Sequence, residues 1–401
     1  MLVRERYLER VRPFYATTDL VKIITGLRRC GKSVLLGQIA AEIRQRDPSA
    51  QVVELNFELM DLRGIASPVD LEAHVLAQVD PAGGQAHVFL DEVQAVEEFE
   101  LAVNSLRARG LSVFITGSNA HLLSDELATH LAGRHVQCRL WPLSYAESLE
   151  LRGLEPGRPE ILSDYLDWGG LPQRFALNPG LETRTYLRDV FDSVVLRDIV
   201  RRLGARSVAG LEAIIDFAQE NLSRVLSPRS LANYLKAQGR PLATDTIYAY
   251  LGAMERSQLF QRLRRYQVRG KRVMDRLDKF YATDLGLLAS KRVGSGPGPG
   301  DKLENAVCVE LLARGFEVFT GSAKSAEIGF VAVKDGAPRY VQVAYLIPDQ
   351  AVADREFGAL AAVADNHPKF VVSADPLTRD RDGVRHLKIE DFLIAPPPEL
   401  A

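Results

Sequence analysis

The residues with the most chemical content lie early in the chain. Val21-Lys22-Ile23-Ile24-Thr25 is an apolar, strand-like run that leads into Gly26-Leu27-Arg28-Arg29-Cys30-Gly31-Lys32-Ser33. This is the G-x-x-x-x-G-K-[ST] spacing of a phosphate-binding loop. Glycines at both ends let the backbone curl so that successive N–H groups and the N-terminus of the next helix face an anion. Lys32 adds a point charge toward the β and γ phosphates, and Ser33 offers a hard oxygen to magnesium. The spacing therefore predicts that Gly26, Leu27, Arg28, Arg29, Cys30, Gly31, Lys32, Ser33 and Val34 hold ATP, with Mg2+ as its companion ion.

Such chemistry needs a second carboxylate element, expected at the end of a neighbouring buried strand. His87-Val88-Phe89-Leu90-Asp91-Glu92 supplies it. Asp91 is the second candidate for the metal, through water, and Glu92 is placed to orient and deprotonate the attacking water. Val113-Phe114-Ile115-Thr116-Gly117-Ser118-Asn119 ends another apolar run in small polar residues, with Asn119 the candidate that senses the γ phosphate. Arg134, in Leu131-Ala132-Gly133-Arg134-His135, can present a guanidinium to a phosphate, in cis or from a neighbouring subunit. Cys30 reads as a small buried filler rather than a redox switch.

The elements that must position these residues are strands alternating with amphipathic helices, the pattern of an α/β fold with a parallel sheet. Strands are predicted at Val21–Thr25, Gln51–Phe57, His87–Asp91, Leu111–Thr116 and His135–Leu140. The first helix is predicted over Ser33–Arg44, where Leu35, Leu36, Ile39, Ala40 and Ile43 line one face. With 401 residues the chain is long enough for two or three domains. Its 50 Lys and Arg against 52 Asp and Glu disfavour a globally cationic binder. Three scattered cysteines exclude a disulfide framework. With no long apolar run, the expectation is a cytoplasmic protein without a membrane span.

Past the first 145 residues the reading is a helical lid over 146–206, broken at Trp168-Gly169-Gly170-Leu171-Pro172. A winged helix-turn-helix follows over 207–292, with helices at Arg229–Ala237 and Asp245–Ser257 and a hairpin of Leu259–Gln267 and Val273–Tyr281. Arg256, Arg262, Arg264, Arg265, Arg269, Lys271, Arg272 and Arg276, with Tyr266, make the hairpin basic, so DNA binding through Arg262 to Arg276 is an expectation. Gly294-Ser295-Gly296-Pro297-Gly298-Pro299-Gly300 reads as a linker over 293–301. A compact α/β unit is expected over 302–401.

Nearly the whole chain resembles the prokaryotic "ATP-binding protein" family that joins an AAA-type P-loop ATPase to a C-terminal domain of unknown function. The resemblance rests on Thr25 to Ser33, Phe89-Leu90-Asp91-Glu92-Val93-Gln94, Ile115 to Asn119 and Leu131 to Arg134. It extends through Trp141-Pro142-Leu143-Ser144-Tyr145-Ala146-Glu147, Gly169 to Pro172 and Leu196-Arg197-Asp198-Ile199. It implies an ATPase core of residues 1–145, a winged-helix middle and a C-terminal domain similar to the restriction-endonuclease fold. That last match is Leu303-Glu304-Asn305, Glu327 to Val331 and Tyr340-Val341-Gln342-Val343. Relatives carry Asp where this chain has Gly329, and the usual Lys position is Ala344. Glu304, Glu327 and Gln342 alone make a poor divalent site, so the domain is expected to be inactive.

The leading expectation is an ATP-hydrolysing enzyme whose nucleotide state controls the winged-helix and nuclease-like parts, with DNA, an unidentified protein or a second copy of the chain as partner. The alternatives are a nucleotide-gated protein-interaction switch with little turnover and an ATP-dependent nuclease.

Overall fold

The computed structural model describes residues 2–117, 131, 133–200, 208–268, 270, 272–291, 296–323 and 326–401. The chain divides into two compact units, Met1–Trp141 and Pro142–Ala401.

The first unit is built on a five-stranded sheet in the order β2-β3-β4-β1-β5. Its strands are β1 (Val21–Gly26), β2 (Gln51–Asn56), β3 (Ala86–Asp91), β4 (Ser112–Thr116) and β5 (His135–Leu140). Every pairing is parallel. All residues of β1, β3 and β4 are buried, which explains why these strands read as continuous apolar runs: helices cover both faces of a parallel sheet. β2, at the edge, is only partly buried. The α/β expectation holds, and each of the five strands falls within a residue or two of its sequence-based position. Of the helices, α1 (Glu5–Val11) packs near β5, and α2 (Lys32–Arg46) follows the loop directly. Helices α3 (Pro68–Leu76) and α4 (Phe99–Ala108) complete the unit.

One expectation is corrected here. The strand carrying Asp91 and Glu92 is not the neighbour of β1, because β4 lies between them. Lys22, Ile23 and Ile24 pair with Phe114, Ile115 and Thr116, and β3 pairs with the far side of β4. The Thr116 end of β4 thus sits between the loop and the carboxylates.

The second unit holds a seven-stranded mixed sheet in the order β12-β11-β10-β9-β8-β6-β7. Helices α5 (Tyr145–Arg152), α6 (Pro159–Trp168) and α7 (Leu181–Ser193) lead to α8 (Val208–Glu220), α9 (Pro228–Ala237) and α10 (Thr244–Arg256). The hairpin β6 (Phe260–Gln267) and β7 (Arg272–Ala282) follows, then α11 (Leu285–Lys291) and α12 (Pro299–Ala313). β8 (Glu317–Ala323), β9 (Ala326–Lys334) and β10 (Ala337–Ala344) form an antiparallel meander. After α13 (Gln350–Ala361), β11 (Lys369–Ser373) and β12 (Arg385–Lys388) add in parallel to β10, and α14 (Ile389–Ile394) closes the unit.

The order helix, turn, helix, hairpin is present, but the hairpin is not a free wing. Arg265, Tyr266 and Gln267 of β6 pair in parallel with Thr320, Gly321 and Ser322 of β8, so the hairpin continues the C-terminal sheet. One apolar core runs from Tyr145 and Leu166 through Leu263 and Tyr281 to Val307 and Phe330. It crosses the boundaries expected at 206, 292 and 301. The expected linker also ends early: Pro299 is already helical, and the Asp301 carboxylate accepts the Gly298 N–H at 3.1 Å to cap α12.

The Gly169-Gly170 pair has a steric cause. A Cβ on Gly169, whose φ is +72°, would lie 2.1 Å from Asp284 Oδ1, and one on Gly170 would lie 2.1 Å from the Leu143 carbonyl. Asp284 is buried and accepts the Gly170 N–H at 2.7 Å and the Leu287 N–H at 3.2 Å, so it caps α11 and pins the loop.

Candidate nucleotide site

The loop between β1 and α2 has the shape its sequence requires. Arg29 and Gly31 have φ of +67° and +102°, so the chain reverses twice before the helix begins at Lys32. A Cβ on Gly26 would lie 2.5 Å from the Leu140 carbonyl and 2.7 Å from Cys30 Sγ, so only glycine fits where β1 turns into the loop. Leu27 and Cys30 are fully buried and anchor the loop from beneath, while Arg29, Ser33 and Val34 are exposed and Arg28 is half-buried. Lys32 is buried, with Nζ 3.3 Å from the Gly26 carbonyl. The Cys30 N–H donates to Leu27 O at 3.2 Å, so that amide is engaged within the loop. Burial pushes the Cys30 thiol upward, and Sγ donates to Leu140 O at 3.6 Å, as a structural cysteine does.

Asp91 ends β3 in a buried position and accepts a hydrogen bond from Thr116 Oγ1. Glu92 follows in the left-handed region, φ +54° and ψ +43°, and is half-buried. Its N–H donates to Thr116 Oγ1 at 3.1 Å, and Gln94 Nε2 donates to its Oε2 at 2.5 Å. Asn119 lies outside the described residues. Arg134 is exposed and its carbonyl accepts the Val21 N–H at 2.9 Å, which places it at the start of β1 and not at the loop.

A serine hydroxyl and a carboxylate are hard oxygen donors, and Ser33 and Asp91 fit magnesium on that ground. Both come from the carboxyl ends of parallel strands or the loop that follows, the edge where open α/β sheets bind ligands.

Sequence reasoning missed four residues around these sites. Arg4 is buried, with Nη2 3.0 Å from Trp141 O and Nη1 3.5 Å from Cys30 O, and so ties the N-terminal segment to the underside of the loop. Its only signal, a charge in an alternating Arg-Glu-Arg run, reads as surface. Thr116 and Gln94 stood inside quoted motifs without an assigned task. Lys279, on β7, reaches Glu327 Oε1 at 2.7 Å and Glu304 Oε1 at 3.5 Å.

Lys279 bears on the carboxylates that the sequence offered as metal ligands, Glu304 and Glu327. The Tyr281 hydroxyl also donates to Glu304 Oε1 at 2.7 Å. Burial alone would lower the Lys279 ammonium, but Glu304 and Glu327 raise it above its ordinary value, so it stays charged. Gln342 Oε1 accepts the Gly329 N–H at 2.8 Å and its Nε2 donates to Glu356 at 2.8 Å. The candidate metal ligands are thus occupied by the chain's own donors. Among the described residues no group of three or more His, Cys, Asp or Glu could hold a metal. A divalent ion does not fit there.

The hairpin's charge is partly spent. Arg262 pairs with Asp278 at 2.6 Å, Arg272 Nε donates to Gln267 at 3.2 Å, and Tyr266 packs on Phe319 with ring centroids 5.6 Å apart. Arg256 and Arg264 are exposed. Arg269 and Lys271 lie outside the described residues, as does the side chain of Arg276. No described helix is long and apolar enough to cross a membrane.

Residues 18–149 match the family model of an AAA domain, and residues 159–294 match a model of a domain of unknown function. The chain is 33% identical over 400 residues to an uncharacterised protein of Haemophilus influenzae, covering 98% of this chain and 99% of that one. The chain belongs to the AAA-type P-loop ATPase family. This AAA-type chain is also 25% identical over 385 residues to an uncharacterised protein of Methanocaldococcus jannaschii, covering 92% and 85% of the two. The Walker-type ATPase of Pyrococcus abyssi superposes with a TM-score of 0.47 at 16% identity, over 73% of this chain and 96% of that one. In this AAA-type chain the matched domain of unknown function lies in the middle, ahead of strands β8 to β12.

Proposed function

We propose that this AAA-type chain binds and hydrolyses ATP, and that its nucleotide state controls the winged-helix and nuclease-like unit. The observation that carries the reading is the arrangement at one edge of one parallel sheet: Lys32 and Ser33 follow β1 and its loop, Asp91 ends β3, and Glu92 follows it. Gly31 and the first turn of α2 offer N–H groups to the phosphates, and Lys32 exchanges the Gly26 carbonyl for a phosphate oxygen. Ser33 and Asp91 would hold magnesium, which would supply positive charge against the phosphate oxygens. Glu92 accepts the proton of the attacking water, and Asn119 senses the γ phosphate. Arg134 serves the site of a second copy of the chain. DNA is the proposed partner of the unit bearing α9, α10 and the basic hairpin.

The test is the steady-state ATPase rate of purified protein, with Lys32→Ala as blank, titrated with double- and single-stranded DNA at two salt concentrations. A Lys32-dependent rate that rises with one DNA form and collapses at high salt is expected. A rate indistinguishable from the Lys32→Ala blank would end the enzyme reading.

A second reading, a nucleotide-gated protein-interaction switch, is favoured by the Arg262–Asp278 pair and the hairpin's incorporation into the sheet, which remove charge and freedom from the proposed wing. A Lys32-dependent rate indifferent to DNA is its expected result. The nuclease alternative is disfavoured by the occupied carboxylates around Lys279.

A further inference from the structure

Three parallel strands of the second unit end together. β10 stops at Ala344, β11 at Ser373 and β12 at Lys388, and these residues are register partners in one row of the sheet. The carboxyl ends of parallel strands are where open sheets leave room for ligands. Here they border a cavity of about 590 Å³, walled by the segments that follow the three strands, by α6 and by the start of α12. Leu162, Leu166, Leu303, Ala374, Pro376 and Ile389 give it an apolar lining. Glu304, Glu327 and Gln342 do not line it, so it is separate from the candidate metal ligands.

The polar groups of the wall set the class of ligand. Lys302 is already paired with Asp167. Asp375 Oδ2 accepts the Ile347 N–H at 2.9 Å and the Ser373 hydroxyl at 2.8 Å. Glu390 Oε1 accepts the Tyr145 hydroxyl at 2.9 Å and the Gly157 N–H at 3.3 Å. In both, the other carboxylate oxygen has no donor among the described residues, and Lys388 has no hydrogen bond or ion pair among them. All three side chains are half-buried. The wall thus offers one unpaired ammonium and two open carboxylate oxygens around an apolar interior. Partly desolvated charges without partners are costly, and a ligand carrying both signs supplies a partner for each. Ser373 and His386 add no catalysis. His386 Nε2 lies 2.8 Å from Ser373 Oγ, but its Nδ1 accepts the Arg379 N–H at 3.2 Å. Burial lowers the imidazole below its ordinary value, so the neutral ring carries its hydrogen on Nε2 and donates to Ser373, which is itself fully buried.

We propose that this cavity binds a short zwitterionic peptide with apolar side chains, its carboxylate on Lys388 and its ammonium on Asp375 or Glu390. A peptide of about two or three residues suits the volume, whereas a single amino acid would leave most of it empty. The proposal does not depend on the ATPase reading, since no residue of the first unit enters it.

The experiment is calorimetric titration of the full chain with three ligands: leucyl-leucine, N-acetyl-leucyl-leucine, which lacks the ammonium, and leucyl-leucine amide, which lacks the carboxylate. Leucyl-leucine should bind with a dissociation constant below about 1 mM, and each blocked form about tenfold more weakly. Lys388→Met should weaken leucyl-leucine about tenfold and leave the amide within about twofold, because the amide has no carboxylate to lose. Asp375→Asn combined with Glu390→Gln keeps acceptors for the chain's own donors. It should weaken leucyl-leucine and the amide and spare the acetylated form. Ala374→Trp fills the cavity and should abolish binding of all three, with the melting temperature certifying that each variant folds. Where the other variants do not fold, Lys388→Met, which breaks no bond of the chain, carries the comparison.

Absence of saturable leucyl-leucine binding up to about 10 mM overturns the proposal. Equal affinity for all three ligands overturns it, as does a Lys388→Met variant that weakens all three alike. Binding that survives Ala374→Trp in folded protein puts the peptide elsewhere and overturns it too.

Discussion

The Val21 N–H donates to the Arg134 carbonyl at 2.9 Å, so Arg134 stands at the amino end of β1 while the phosphate-binding loop leaves its carboxyl end. Six residues of parallel strand separate the two, about 16 Å at the usual rise. An arginine side chain does not span that distance along the buried face of a sheet. That geometry speaks against action in cis, and the proposed action on a second copy of the chain is what a mixing experiment tests. Glu92→Gln and Arg134→Ala should each lower the rate by about 1,000-fold alone. Mixed together they should recover a measurable fraction, because a mixed pair can assemble one intact site. No recovery at any mixing ratio would count against trans action.

Lys279 makes the Glu304 and Glu327 carboxylates part of the scaffold. Lys279→Ala leaves Glu304 facing Glu327 without its cation and should cost about 2–3 kcal/mol in urea unfolding. Lys279→Met combined with Glu304→Gln, which removes both charges, should recover most of it. Wild-type protein should cut no DNA with magnesium or manganese. Metal-dependent cleavage that Glu304→Gln abolishes would show that the cluster takes a metal after all.

The core under the site carries a pH-dependent term. Lys22 is fully buried, and burial lowers its ammonium to about 7. Nζ donates to Thr17 O and Ser112 Oγ, both at 2.7 Å, and lies 4.5 Å from the Phe114 ring centroid. The unfolded chain binds this proton up to an ordinary lysine value near 10.4. Between about 7 and 10.4 the unfolded state therefore binds more protons, and stability rises with pH across that window. His87, also lowered by burial and by Lys22, adds a slope of the same sign just below its ordinary value. Lys22→Met should be more stable than wild type at pH 6, with the difference vanishing or reversing by pH 10. Parallel melting curves of the two proteins across that range would refute the assignment.

Gly169→Ala tests the junction of α6 and α11. The new methyl meets the Asp284 carboxylate at 2.1 Å and demands a φ of +72° from alanine. The two together should cost more than about 3 kcal/mol, read as a lowered melting temperature of the second unit. Asp284→Asn, which keeps an acceptor, should cost less than Asp284→Ala.

The sequence by itself determined the phosphate-binding loop, the Asp91-Glu92 pair, the five parallel strands of the first unit and most helices of the second. These features are local: a turn that needs glycine, an apolar run buried on both faces, and a helix with one apolar stripe each leave their mark within a few residues. Tertiary structure alone decided what faces what. It inserted β4 between the loop and the carboxylates, set Arg134 at the far end of β1, joined β6 to β8 and brought Lys279 to Glu304 and Glu327. Each of these is a pairing between strands or side chains distant in sequence. A strand's own residues specify its faces through alternation, but not which neighbour satisfies its edge hydrogen bonds. A charged residue such as Arg4 or Lys279 reads as solvated until packing supplies the carbonyls or carboxylates that justify its burial.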